Sequence, residues 1–309
     1  MTPMNINDVY TQLQVADWGW LIAVFLWLAG IAGMGSVAYY WFRRTSLAVT
    51  LLVSIVLALI FVVSDLTRPW NVPHALLTAL LTGTYNIFSW MAIGIVLLVI
   101  QLILILIIVY RHVVGERIKW LRWLSSLASS NIYLYITGFF GFMVTIYSGF
   151  LISQASGIPL WSTPLIPVLW IISATISAIA VVEIISMMSR DVPEEKIMTS
   201  TRIGLSIDIF ELFVVLSFIY VMLTVGTVGA VLGAEMMYRG ELAALTWIGV
   251  IGLGIIYPMI IGIYTIASKR HDRALIISAA VLALIGALLL RYVILVAGVY
   301  EPLSISGFS

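Results

Sequence analysis

NIFSWMAIGIVLLVIQLILILIIVYRHVVGERIKWLR, residues 86–122, decides the fold. Residues 86–110 carry no charged side chain, and at about 1.5 Å per residue they outlast the ~30 Å hydrocarbon core of a bilayer. Arg111, Arg117, Lys119 and Arg122 follow at once. An apolar run closed by a basic cluster is a membrane-spanning helix with its basic end at the cytoplasmic surface.

The rest of the sequence repeats that pattern. Of its 309 residues 62% are hydrophobic and 9% charged, too little charge for a soluble protein of this length. Eight spans are predicted at 18–42, 46–64, 86–110, 131–153, 164–188, 204–228, 245–267 and 274–298. Helices are required because backbone polar groups must be satisfied within lipid, and the ten-residue alternation of a membrane barrel is missing. The fold class is therefore all-α, one polytopic membrane domain over residues 1–309. Residues 1–17 are polar and lack Lys and Arg, unlike a cleavable signal. The stretch 68–86 reads as an external loop or half-embedded helix, and 112–130 as an interfacial helix.

Basic residues fix the expected orientation. The connections after spans one, three, five and seven hold 12 of the 15 Lys and Arg residues. Arg68 and Arg239 lie on the opposite side, and Arg291 lies within span eight. Both termini are thus expected outside the cytoplasm. Nothing in this pattern points to nucleic acid; the partner that composition demands is the lipid bilayer of the cytoplasmic membrane.

Polar residues in the spans need a reason, since an ionisable group near mid-membrane costs at least ~2.5–3.5 kcal/mol on insertion scales. Asp17, Trp18, Asp65, Arg68, His74, Tyr147 and Arg291 sort to the outer leaflet or beyond it. Each has a plainer reading: Asp17 facing water, Trp18 and Trp20 in an aromatic belt, Asp65 and Arg68 as a structural pair, Tyr147 packed, Arg291 snorkelling or meeting Asp65. Glu183, Asp208 and Glu211 sort to the inner leaflet, with Asp208 and Glu211 in the first two turns of span six. Their i, i+3 spacing shares one helix face, and carboxylates crowded in low dielectric resist ionising together, which suits proton exchange. Neutralisation by Arg190, Lys196 or Arg202 is the alternative. Gly30, Gly33, Gly35 and Ser36 in span one, and Ser173 to Ala180 in span five, mark close helix packing.

No cysteine is present, which excludes disulfides, cysteine-ligated clusters and thiol catalysis in this subunit. Its three histidines offer no pair inside the spans for a haem, so no metal ligand set is expected.

Several fragments together resemble a known family. Trp18-Gly-Trp20 precedes FLWLAGIAGMGS (25–36), SDLTRPW (64–70) closes span two, and FSWM (88–91) opens span three. YSGFLIS (147–153), PLWSTPLIPVLW (159–170) and LRYVILVAG (290–298) follow in order. The set is similar to the NrfD/polysulfide-reductase membrane-subunit family over nearly the whole sequence. The resemblance implies a subunit that binds quinone or quinol of menaquinone type near the outer face. It also implies partners there: an iron–sulfur electron-transfer subunit and a molybdopterin catalytic subunit, which keep the metal chemistry out of this protein. By motif position Tyr147 is the implied hydrogen-bond donor to the quinone, with Asp17 or His74 as proton acceptor and Trp18, Asp65, Arg68 and Arg291 around the site. Apart from the resemblance, the inner-side placement of Glu183, Asp208 and Glu211 makes them the expected start of a proton route from the cytoplasm. Two departures stand out: span one lacks the expected His and Asn, and Thr67 replaces the motif glycine. The rival readings are a transporter, which predicts interrupted helices and internal repeats, and a passive anchor without quinone chemistry.

Overall fold

The computed structural model describes residues 14–66, 71, 74, 78, 81–84, 86, 89–115, 122–189 and 192–302. Among the described residues, eight helices are long and apolar enough to cross a membrane. In sequence order the elements are α1 (Trp20–Phe42), α2 (Thr45–Ser64), α3 (Trp90–Val113), the short α4 (Arg122–Leu127), α5 (Asn131–Ser153), α6 (Leu165–Met188), α7 (Glu194–Thr224), the short α8 (Val228–Tyr238), α9 (Leu245–Ser268) and α10 (Arg273–Val296). All eight predicted spans are present. This is a multi-pass membrane protein.

Two boundaries differ instructively from expectation. The apolar run predicts span six from residue 204, but α7 begins at Glu194. Its first three turns are amphipathic, and Glu194 and Glu195 suit the positive end of the helix dipole, so the helix continues out of the apolar run. Past its other end, Val228–Tyr238 folds as an eleven-residue helix, too short to cross. Within α9, Leu245–Ile256 is wound as π-helix and Tyr257–Ser268 as α-helix. Pro258 explains the wide turns: its ring would clash with the carbonyl of Gly254, four residues back, in a regular α-helix. Of the expected interfacial stretch 112–130, His112 and Val113 end α3, residues 116–121 lie outside the described residues, and Arg122–Leu127 is a separate short helix.

The helices form two groups of four, α1–α2–α3–α5 and α6–α7–α9–α10, joined mainly where α6 packs against α1 and α5. Small residues set those contacts. A Cβ on Gly33 would lie 2.5 Å from the Gly141 carbonyl, so α1 and α5 touch backbone to backbone. Gly149 meets Pro167 and Gly254 meets Gly286 in the same way. Without a hydrophobic force between helices in lipid, this intimacy supplies the van der Waals contact that holds them. The span-one glycines are thus occupied by neighbouring helices.

The segments that begin and end the described residues share one face of the bundle, called here the terminal face. Gln14 to Ala16 runs antiparallel to Gly298 to Tyr300: Ala16 N donates to Gly298 O at 2.8 Å and Tyr300 N to Gln14 O at 2.9 Å. The opposite face, with the basic connections, is the basic face. There His112, expected in a charged connection, instead lies in the last turn of α3. Its ring nitrogens meet Tyr39 Oη at 2.5 Å and Thr45 Oγ1 at 3.0 Å, joining α1, α2 and α3.

Candidate functional site

A cavity of about 780 Å³ opens at the terminal face. Its walls come from the lead-in to α1 (Asp17, Trp18, Trp20), the end of α2 (Asp65), the loop Gln154 to Ile158, and Trp161 and Tyr300. The paired terminal segments hold this wall in place. Trp161 is buried and donates Nε1 to Ile294 O at 2.7 Å, and Gly298 leaves space for its indole, since a Cβ there would be 2.5 Å from the ring. Trp18 stacks on Trp161 with ring centroids 5.3 Å apart. Trp20 stacks on Tyr292 at 3.8 Å. Glu301 fastens the far side, accepting from Thr227 Oγ1 at 2.6 Å and Gly229 N at 2.9 Å.

Asp17, in the lead-in to α1, and Asp65, at the C-cap of α2, bring two carboxylates to this cavity. Partial burial and then the neighbouring Asp17 charge push the Asp65 carboxyl above the ordinary aspartate range. Its place at the C-cap of α2, where carbonyl dipoles disfavour an anion, acts in the same direction.

Of the other residues expected in the outer leaflet, Tyr147, His74 and Arg291 are not among the residues lining this cavity. Tyr147 is buried in the seam between α5 and α3, its ring occupying the space that any side chain at Gly94 would need. Beside it Trp90 stacks on Phe150 at 4.9 Å. His74 is exposed. Arg68, Thr67 and Arg190 lie outside the described residues.

Arg291 corrects the sequence reading. It does not reach Asp65; it is fully buried and turns toward the middle of the bundle. Its Nη1 donates to Ser173 Oγ at 2.8 Å and Ala287 O at 2.9 Å, and the guanidinium lies 5.6 Å from the Trp170 ring centre. The carboxylate that it feels is Glu211. Helical side chains lean toward the N-terminus of their helix, and α10 rises from the basic face to the terminal face, so a long side chain at 291 is aimed inward. Ser173, expected only to permit packing, is the hydroxyl between Arg291 and Glu211.

Counted from the early start of α7, Asp208 and Glu211 lie about four and five turns into the helix, and both are buried. Asp208 interacts with both Glu211 and Glu183, and Glu183 accepts from Thr201 Oγ1 at 3.1 Å. A cavity of about 40 Å³, room for roughly three water molecules, touches Glu183, Thr201 and Asp208. Thr201, Glu183, Asp208, Glu211, Ser173 and Arg291 thus form one polar row from the basic face to the bundle centre. Glu211 Oε1 and Arg291 Nε and Nη2 are buried without a hydrogen-bond partner among the described residues, the arrangement that ordered water ordinarily satisfies.

An eight-helix bundle with a cavity on one face and a charged row through its interior defines a polytopic membrane protein with polar groups held inside the bundle. The protein belongs to the NrfD family: the family model described as "Polysulphide reductase, NrfD" matches residues 8–302. It is similar to the C subunit of polysulfide reductase from Wolinella succinogenes, with 25% identity over 93% of this protein and 96% of that one. It is also similar to protein NrfD of Escherichia coli, with 28% identity over 91% of this protein and 94% of that one. A third relative, the NrfD homolog of Haemophilus influenzae, is 23% identical over 91% of this protein and 94% of its own length.

Proposed function

We propose that this protein binds quinol, of menaquinone type, at the terminal face and passes its electrons to an iron–sulfur subunit docked there, with a molybdopterin catalytic subunit beyond it. The observation that carries this reading is the convergence of Asp17, Asp65 and the Trp18–Trp161 stack on one cavity of about 780 Å³. That volume falls in the range of small-molecule sites, and the residues fit the group: flat aromatic walls for a ring, carboxylates for its hydroxyls. The quinol supplies two electrons and two protons. The protein's own residues do the rest: Trp18 and Trp161 orient a planar head, and Asp65 takes a proton at its carboxylate oxygen beside Asp17, on the side open to water. Tyr147, buried in the α3–α5 seam outside the cavity lining, is kept as the hydroxyl donor by motif position. By sequence position alone, Arg68 in the motif after α2 and the exposed His74 are assigned to the polar surroundings of the site. Family membership favours this reading over a transporter. Over a passive anchor it is favoured by the chemistry of the cavity walls, so the deciding test is kinetic.

Asp17→Asn, Asp65→Asn and Tyr147→Phe are measured for quinol oxidation in the assembled complex. Each is expected to lower the rate about tenfold or more with assembly intact. Unchanged quinol kinetics in all three would leave a passive anchor.

A second reading rests on the polar row. Glu183, Asp208 and Glu211 lead protons from the basic face toward Ser173 and Arg291, with water closing the gaps at Glu211 and Arg291. Proton translocation in vesicles is expected to fall in Asp208→Asn and Glu211→Gln while quinol oxidation continues. Full pumping in both variants would remove the route.

A further inference from the structure

A third cavity, of about 510 Å³, lies at the basic face and is used by neither reading. It is a slot between α1, α6 and the first turns of α7. From Trp41 to Met34 on α1, and from Val182 to Thr175 on α6, it runs about 10 Å along the helix axes. Met34, Val37, Ala178, Ile179 and Val182 make its body apolar.

Its rim is different. Glu195 and Lys196 stand side by side there, one anion and one cation. Neither belongs to an ion pair among the described residues. Lys196 is held over the slot: Nζ donates to Trp41 O at 3.3 Å and lies 5.7 Å from the Phe42 ring centre. Trp41 itself is 62% exposed, as an indole at the headgroup level is. Basic pockets between helices on the cytoplasmic side are a recurrent form of lipid-headgroup site. Here the added carboxylate changes the chemistry. A purely anionic headgroup would meet Glu195 as a like charge, whereas a headgroup carrying both a phosphate and a primary ammonium matches Lys196 and Glu195 together. A quinone head carries no charge for either.

We propose that this slot is a site for a phosphatidylethanolamine-type phospholipid, one acyl tail lying along Val37 and Ile179, its phosphate on Lys196 and its ammonium on Glu195. The ammonium N–H groups donate to the Glu195 carboxylate, and the Thr199 hydroxyl stands beside them in the wall. This site is independent of the quinol reading.

The assembled complex is delipidated, incubated with vesicles holding equal parts of phosphatidylethanolamine, phosphatidylglycerol and phosphatidylcholine, and its retained lipid is counted by mass spectrometry. Phosphatidylethanolamine should be retained over both others, because phosphatidylcholine has no N–H to donate and phosphatidylglycerol has no cation. Lys196→Ala should lower its retention roughly fivefold, the effect of one basic residue at a membrane surface. Glu195→Gln should abolish the preference over phosphatidylglycerol. Ala38→Phe, which fills the open side of the slot, should release the lipid while quinol oxidation is unchanged. Equal retention of the three lipids, an unaltered preference in Glu195→Gln, or release of a quinone in place of phospholipid by Ala38→Phe would each overturn the assignment.

Discussion

At the level of single residues, the two terminal-face carboxylates make a pH prediction. Asp65 lies above the ordinary aspartate range, so on acidification it takes up its proton sooner than an isolated aspartate does. Its unprotonated oxygen is the form that accepts a proton from quinol, so the rate should fall as pH drops through that raised value. Removing the neighbouring charge with Asp17→Asn should move the acid limb to lower pH, even though the maximal rate falls. A limb that stays in place would mean that Asp65 does not set it. Gly298 gives a structural counterpart. Its α-carbon faces the Trp161 indole, so Gly298→Ala must displace that ring and its bond to Ile294 O. Overpacking of this kind costs about 1–3 kcal/mol, readable as a lower melting temperature and a lost Trp18–Trp161 stack.

Among the elements, the α1–α5 seam is the sharpest dependence. Gly33 and Gly141 bring the two backbones together, and a side chain at either meets main-chain atoms that have no freedom to yield. Gly141→Val should separate the helices and lower the yield of assembled complex, whereas Gly204→Ala, where the new methyl meets only the Ile179 Cγ2 methyl at 3.4 Å, should be near neutral. Comparing the melting temperatures of the two variants checks whether close approach, rather than loss of glycine as such, is what matters.

For the whole molecule, the prediction concerns sidedness. The sequence has no cysteine, so single cysteines report cleanly. Ser156→Cys in the terminal-face loop should react with an impermeant thiol reagent added outside intact cells, and Ser268→Cys at the basic end of α9 should react only after the membrane is opened. The reverse pattern would place both termini inside and move the quinol site to the cytoplasmic surface.

The amino-acid sequence determined the spans, because insertion into lipid depends on local apolar length, and it determined the basic and basic-poor faces, because charge in short connections is also local. It brought Asp17, Trp18 and Asp65 to one face, and in the fold all three line one cavity. What it could not supply was lateral neighbourhood and side-chain direction. Sorted by leaflet, Arg291 belonged with Asp65 and stood apart from the inner carboxylates; in the fold it turns down α10 through Ser173 toward Glu211. Ser173 reads as packing because nothing in a run of small residues tells which hydroxyl will face a charge on another helix. The amphipathic start of α7 likewise falls below the apolar signal, and with it the slot that Lys196 and Glu195 border. Burial in lipid is legible one segment at a time. Pairing of charges is a property of helix rotation and crossing, which packing alone decides.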